Sequence, residues 1–489
     1  MSETRAMSAQ DSLWLTMDRP NNLMVIDGVL LLRGEPDWEA IVEVARERVL
    51  ERFPVFRCRP VRSGVGWAWE PDPEFDLRRH VQRTTLPEPA GMRQLEDFVA
   101  AQRSRPMSHG RPLWDITLVE RVVLDDGERG AAVVSRFHHA IADGVRLTMV
   151  MLSLCDTDDP AVSATVARPS GASGVREATS AALGVTWEAI SDGARAAASA
   201  GRSLAQDAGA ALRDAAELGA GLLRNPGRLD TVFEAAGLDN RLANDVASVA
   251  KLALSGRSVR TVWSGTPGTR KAVAWSAPFP LDEVRRVGRE HGASVNDVLI
   301  TAVGGGLRRY LDKHGDPGVD DVTWMVPVNL VPFSENLPED LGNFFALVMV
   351  VLPTTPADPV ERLAEVSRRV GRIKHSDEPA LTFGIQRGIS AAPRAASVAL
   401  TNFFADKAVG VLTNVPGPRA PMTFAGSPVE QIVGFAPCSG DQPMTATIFS
   451  YAGSVTIGFA VDADLITDPR LLVDGTIAEL RALVGVPRE

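Results

Sequence analysis

Cysteine is scarce in this 489-residue chain. Cys58, Cys155 and Cys438 stand far apart and form no CxxC pair, which fits a reducing compartment and offers no zinc site. Long apolar runs are missing as well. The longest, Phe344 to Leu352, falls far short of the roughly 20 residues a membrane span needs and reads as a buried strand. Positive charge is not in excess: the formal net charge is −10 and there is no strongly basic run, which argues against nucleic acid as the main partner. Met1 to Gln10 is polar, without the apolar centre of a signal peptide. There is no GxSxG elbow and no P-loop, so neither a serine hydrolase nor a nucleotide-dependent enzyme gains positive support. No metal-ligand set is visible.

Histidine is also sparse, with seven in the chain, yet two are adjacent in Phe137-His138-His139-Ala140-Ile141-Ala142-Asp143-Gly144. This HHxxxDG stretch follows the apolar run Ala131 to Val134, read as a buried strand, and precedes Val145 to Leu154, read as a buried helix. The histidines therefore fall where a strand gives way to a loop, a place from which side chains face a cleft. An imidazole there can serve as a base near neutral pH. Asp143 can fold back to fix the loop, and Gly144 permits a tight backbone. The plainer reading is a pair of core histidines beside a turn.

Composition, with 45% hydrophobic and 23% charged residues, is that of an ordinary soluble globular enzyme. Asp11 to Pro20 reads as a short polar-apolar segment and Leu23 to Leu32 as a strand. Asp37 caps a helix to about Arg52. Trp67 and Trp69 lie in a strand, Arg93 to Ser104 in a helix, and Ile116 to Val123 in a strand. After Asp156 the chain becomes rich in Ala, Ser, Gly and Pro, then in Ala alone, which reads as a linker and a weakly amphipathic helical connector. The connector packs on its neighbours or forms a lid or lipid-facing surface; its low positive charge weakens it as an anionic-membrane anchor. From Gly265 the mixed pattern returns. Lys271 to Trp275 is a strand, and Leu281 to Glu290 a helix stopped near Gly292. Ser294 caps a helix from Val295 to Leu311, Val322 to Pro327 is a strand, and Pro359 to Lys374 a helix. Leu412 to Pro418 forms a sharp loop, Val429 to Phe435 and Thr445 to Val461 are strands, and a last helix runs from Pro469. The expected architecture is α/β: lobes at 1–158 and 265–489, each a mixed sheet flanked by helices, joined by a connector at 159–264.

Several motifs occur in one order. HHxxxDG resembles the coenzyme-A-dependent acyltransferase superfamily, which includes chloramphenicol acetyltransferase and peptide-synthetase condensation domains. Pro112-Leu113-Trp114, Ser294-Val295-Asn296-Asp297, Gly342-Asn343-Phe344-Phe345, Asn414-Val415-Pro416-Gly417-Pro418 and Ser450-Tyr451-Ala452-Gly453 followed by Asp462 resemble the bacterial wax ester synthase/diacylglycerol acyltransferase family. Its early Pro-Met-His segment is not matched: Pro20-Asn21-Asn22-Leu23-Met24-Val25 lacks the histidine, which bears on substrate preference more than on chemistry. The DFGWG motif of plant relatives is absent.

The resemblance implies two chloramphenicol-acetyltransferase-like lobes and an O-acyl transfer that makes triacylglycerol from diacylglycerol, or wax esters from long-chain alcohols. Acyl-CoA is the co-substrate, and no cofactor is bound. His139 is the implied base, His138 a structural neighbour, and Asp143 with Gly144 holds the loop, paired with an arginine for which Arg57 is the candidate. Asn296 is expected near the reacting centre. Asp297 stands at the position of a capping box or near substrate, and Pro112, Leu113 and Trp114 pack or line the acyl path. The protein is expected in the cytoplasm, free or resting on the inner face of the membrane or on lipid droplets. Alternatives are an acyltransferase with a carrier-bound donor or another alcohol acceptor, and a non-catalytic lipid-binding protein of the same fold.

Overall fold

The computed structural model describes residues 4–64, 66–157, 260–329, 337–343, 345–374 and 394–485. Most of the expected connector, residues 159–259, lies outside the described residues.

The chain opens with β1 (Arg5–Ala6) and helix α1 (Ala9–Met17). Next come β2 (Val25–Arg33), α2 (Trp38–Ala45), β3 (Cys58–Ser63), β4 (Gly66–Pro71), α3 (Leu77–His80), β5 (Val81–Thr85) and α4 (Met92–Arg103). The first half closes with β6 (Trp114–Val123), β7 (Arg129–His138), α5 (Gly144–Ser153) and β8 (Asp156–Thr157). The second half begins with β9 (Lys271–Trp275), β10 (Phe279–Pro280), α6 (Leu281–His291), α7 (Val295–Lys313), β11 (Asp321–Asn329) and β12 (Phe345–Pro353). It continues with α8 (Pro359–Lys374), α9 (Arg394–Ala405), β13 (Gly410–Pro416), β14 (Met422–Phe424) and β15 (Ser427–Phe435), then β16 (Met444–Tyr451), β17 (Ser454–Asp462) and α10 (Pro469–Gly485).

Two large mixed sheets result. The first runs β5-β6-β7-β2-β15-β14-β8, and the second β10-β17-β16-β13-β11-β12 with β9 also on β17. This bears out the expected two-sheet α/β architecture. The division at residue 265 does not hold for the sheets, however. β14 and β15 come from the C-terminal part of the chain but complete the first sheet, with Val433 opposite Val29 of β2. β2 is buried on both faces, as its run of Val and Leu requires: Leu30 and Leu32 join one apolar cluster, while Val29 and Leu31 join another that includes Val273 and Trp275 of β9. Glu96 of α4 strengthens that crossing, accepting from Trp275 N–H at 3.1 Å and pairing with Arg470.

Other expectations need correction. Leu412 to Pro418 is not a loop but mostly strand β13, parallel to β11 and β16. Proline can stand there because Pro416 is the strand's last residue, where a missing donor is tolerated. Gly410 opens β13 because a Cβ there would sit 1.7 Å from the Met444 carbonyl oxygen. Thr445 to Val461 is strand as expected: β16 and β17 form a hairpin turned at Ala452 and Gly453, whose φ values of 44° and 80° suit the tight turn that matches strand twist. Asp11 to Pro20 holds most of α1, which is started by the Ser8 hydroxyl accepting from Asp11 N–H at 3.0 Å.

Candidate active site

β7 ends at His138 and α5 begins at Gly144, so the HHxxxDG residues form the link between them. The backbone of this link is held from three sides. His138 N–H donates to the Leu113 carbonyl (3.0 Å), His139 N–H to Met24 (2.7 Å) and Asp143 N–H to Gly342 (3.2 Å). Gly342 belongs to the segment that leads into β12, so the site lies where the two sheets meet.

The His139 side chain is 6% exposed. Its Nδ1 lies 2.8 Å from Asn343 Oδ1. Asn343 Nδ2 donates to Asp11 Oδ1 (2.7 Å) and to the His139 carbonyl (2.9 Å). Because Nδ2 faces two acceptors, Oδ1 faces the ring, and Nδ1 must carry the proton that completes the bond. The Nε2 lone pair is then left for substrate. Trp14 stacks on the imidazole with ring centres 4.1 Å apart, and Phe345 lies against it at 5.5 Å. Burial pushes the His139 pKa down to about 4, opposed by its own backbone carbonyl and by Asn343. The ring is neutral at physiological pH, the state a base needs. Burial likewise raises the Asp11 carboxyl, against the hydrogen bond from Asn343.

His138 is fully buried. Its Nδ1 accepts from Ala140 N–H (3.1 Å), and its Nε2 lies 3.8 Å from Asp18 Oδ2. Asp18 Oδ1 accepts from Met24 N–H at 2.8 Å. His138 thus braces the link that positions His139.

Asp143 is the N-cap of α5, its carboxylate accepting from Arg146 N–H at 3.0 Å. The same carboxylate lies 3.9 Å from the Arg146 guanidinium, which also reaches the Gly342 carbonyl at 3.5 Å. The expected pairing with Arg57 is therefore corrected. One helical turn brings Arg146 beside Asp143, whereas Arg57 is exposed at the end of the short helix Pro54–Arg57. Gly144 is corrected too: a Cβ there would make only an ordinary 3.8 Å contact with Ile26.

Pro112, Leu113 and Trp114 are all buried. Leu113 holds the His138 backbone, and the Trp114 indole donates to the Phe56 carbonyl at 2.8 Å. Asp297 is part of a capping box: its Oδ2 accepts from Ser294 N–H (2.9 Å), and the Ser294 hydroxyl accepts from Asp297 N–H (3.1 Å). Lys374 Nζ stands 3.9 Å from its Oδ1. Asn296 Oδ1 accepts from Asn414 Nδ2 at 2.9 Å, joining two of the sequence motifs, while Asn296 Nδ2 is buried without a hydrogen-bond partner among the described residues.

Sequence reasoning placed His138, His139 and Asp143 in one site, and they are together. Asp11, Trp14 and Asp18, which the sequence presents only as part of a polar-apolar segment, join them. Asn343 was noticed only within a motif. The available signal for the first three was their spacing of three and four residues, one helical stripe. Among the described residues, no group of His, Cys, Asp or Glu is placed to hold a metal ion, and no helix is long and apolar enough to cross a membrane.

Residues 7–299 match the wax ester synthase/diacylglycerol acyltransferase catalytic domain, and residues 341–484 the WS/DGAT C-terminal domain. A putative diacylglycerol O-acyltransferase of Mycobacterium tuberculosis is 29% identical, covering 99% of this chain and 98% of its own length. A probable diacylglycerol O-acyltransferase of the same species is 26% identical, over 95% of this chain and 92% of that protein. Among solved structures, the wax ester synthase/diacylglycerol acyltransferase of Marinobacter aquaeolei VT8 superposes with a TM-score of 0.64 at 18% identity, covering 99% of this chain and 100% of that one. The first condensation domain of the calcium-dependent antibiotic synthetase superposes at 0.57 with 15% identity, covering 100% and 98%. These two likenesses establish the shared fold.

Proposed function

Because the chain belongs to the wax ester synthase/diacylglycerol acyltransferase family, we propose that this acyltransferase moves an acyl group from acyl-CoA to the hydroxyl of a lipid alcohol, with His139 as general base. The observation that carries this reading is the His139 Nδ1 to Asn343 Oδ1 hydrogen bond of 2.8 Å, which puts the ring proton on Nδ1 and makes Nε2 the accepting nitrogen. Diacylglycerol is the first acceptor in this reading, giving triacylglycerol. The names of the mycobacterial relatives support it. A long-chain alcohol, giving a wax ester, is the second.

The thioester is already activated, so no covalent enzyme nucleophile is needed. His139 Nε2 takes the hydroxyl proton as the alcohol oxygen attacks the thioester carbonyl carbon. The tetrahedral intermediate then expels the CoA sulfur, and His139 returns the proton to it. The products are an ester and free CoA. General-base catalysis of this kind contributes roughly 10²–10⁴ in rate. A buried, neutral ring is well suited to it, because protonation does not compete near pH 7. Asp143 and His138 keep the link in place, and Gly342 passes that order on to Asn343. The unpaired Nδ2 of Asn296 is assigned to substrate, since a buried donor left without a partner is costly and a substrate oxygen would satisfy it. Both substrates are lipids, so the protein works against a membrane or droplet surface while having no spanning helix among its described residues.

The test is release of free thiol from palmitoyl-CoA by the purified full chain with diacylglycerol, with hexadecanol or with no acceptor. Release that depends on acceptor and disappears in folded His139→Ala is the expected result. No release with either acceptor would overturn the lipid-alcohol assignment.

A further inference from the structure

Asp11 and Trp14 lie three residues apart on α1, and Asp18 is the residue that ends it. Positions i, i+3 and i+7 share one face of a helix. Along this stripe each side chain meets a different part of the catalytic link. Asp11 accepts from Asn343, Trp14 stacks on His139, and Asp18 faces His138 Nε2 at 3.8 Å. We propose that α1 is the orienting element of the base, with Asp11 a positioning residue that acts on His139 through Asn343. The inference rests on His139 being the base.

The logic is that of donors and acceptors. The Asn343 amide can sit in either of two orientations related by a flip. In the observed one, Nδ2 faces Asp11 Oδ1 and the His139 carbonyl, and Oδ1 faces His139 Nδ1. A flip would set Oδ1 against the Asp11 carboxylate and the His139 carbonyl; the carbonyl has no proton to give, and the carboxylate has none while ionised. It would also set an N–H against His139 Nδ1, which would then have to accept. The imidazole proton would move to Nε2, and the ring could no longer take a proton from the alcohol. Two acceptors oppose that flip. One is His139's own backbone; the other is Asp11, a side chain from an element more than a hundred residues away in sequence. Trp14 adds a restraint of a different kind, holding the plane of the ring. Burial sharpens the preference, since solvent has little access with which to satisfy a misdirected amide.

The chain can report this directly. In full-length protein labelled with 15N-histidine, long-range proton–nitrogen correlation shows which ring nitrogen of His139 carries the proton. The signal is assigned by its loss in His139→Gln. The same samples are assayed for acyl transfer from palmitoyl-CoA to diacylglycerol, with kcat and KM separated. Wild type is expected to hold its proton on Nδ1. Asp11→Ala is expected to shift population to Nε2–H and to lower kcat about tenfold, the equivalent of one hydrogen bond, with KM within about twofold. Asp11→Asn, whose amide can present either an oxygen or an N–H to Asn343, is expected to fall between wild type and Asp11→Ala in both tautomer population and kcat. If Asp11→Ala does not fold, Asp11→Ser serves instead, because its hydroxyl is too short to reach the amide. A folded Ala or Ser variant with the proton still on Nδ1 and kcat unchanged would overturn the proposal. So would a loss in Ala and Asn variants alike with no change of tautomer, which would mark Asp11 as a packing residue. Transfer that persists in His139→Gln would overturn the assignment of the base as well. A silent His139→Gln beside an unmoved tautomer would overturn only the role of Asp11.

Discussion

Two helices of this molecule begin with the same device and end up in different work. At the start of α5, the Asp143 carboxylate accepts from Arg146 N–H; at the start of α7, Ser294 and Asp297 cap each other's backbone. Both aspartates are buried, and both come from motifs that the sequence displays. At α5 the residues just before the cap include an imidazole whose Nδ1 is engaged by Asn343 and whose Nε2 has no hydrogen bond to a described residue. At α7 the residue just before Asp297 is an amide with one end tied to Asn414 and its Nδ2 without a partner among the described residues. A buried carboxylate in a motif is therefore poor guidance to chemistry by itself. The informative atoms are those that the neighbouring contacts leave unsatisfied.

The comparison can be broken most sharply at His139. His139→Ala should lower kcat by roughly 10²–10⁴ in protein that still folds, whereas Asp297→Ala should leave kcat within about twofold of wild type. A large kcat loss in Asp297→Ala without loss of stability would erase the distinction. Next is Asn343→Ala, which removes the ring's hydrogen-bond partner. A misplaced base is expected to cost about 10–10²-fold in kcat, read in the same steady-state assay. Asn296→Ala should lower kcat/KM about tenfold, the effect of one hydrogen bond to substrate. Its melting temperature should change little, because loss of the Asn414 bond is offset by removal of a buried donor that has no partner among the described residues. Equal melting losses in Asn296→Ala and Asp297→Ala would show that both residues belong to the cap. The smallest effects are on stability. Asp297→Ala should cost about 1 kcal/mol in denaturant unfolding, a typical loss for a helix cap, and Arg57→Ala should cost nothing measurable.

Much of this architecture is legible in the residues. The interior strand β7, helix α7 with its Ser294 cap, and the stop of α6 at Gly292, whose φ is 65°, follow from local pattern and local chemistry. Pro359–Lys374 and Lys271–Trp275 fall where periodicity puts them. The errors have a common physical source, which is partners distant in sequence. β13 looks like a loop because proline and glycine dominate its end, yet β16 beside it supplies hydrogen bonds that local pattern cannot show. β15 looks like part of the second lobe but pairs with β2, some four hundred residues earlier. In the site, HHxxxDG is local and was visible. Asn343, which determines which nitrogen is free, lies 204 residues from His139, and Asp11 is farther still from Asn343. The partner of Asp143 is the exception: it is Arg146, one turn along the same helix, and not the distant Arg57.

The central claim is that a buried, neutral imidazole does the chemistry, and the pH dependence of kcat/KM with palmitoyl-CoA and diacylglycerol tests it most directly. Burial depresses the His139 pKa to about 4, so the neutral form that acts as base persists well below the ordinary histidine range near 6.5. Activity should stay level as pH falls from 7.5 to about 5.5 and decline only as pH approaches 4. A half-maximal point near 6.5, in protein that remains folded across the range, would contradict the account, because it would describe a solvated imidazole and not the one held between Trp14, Asn343 and Phe345.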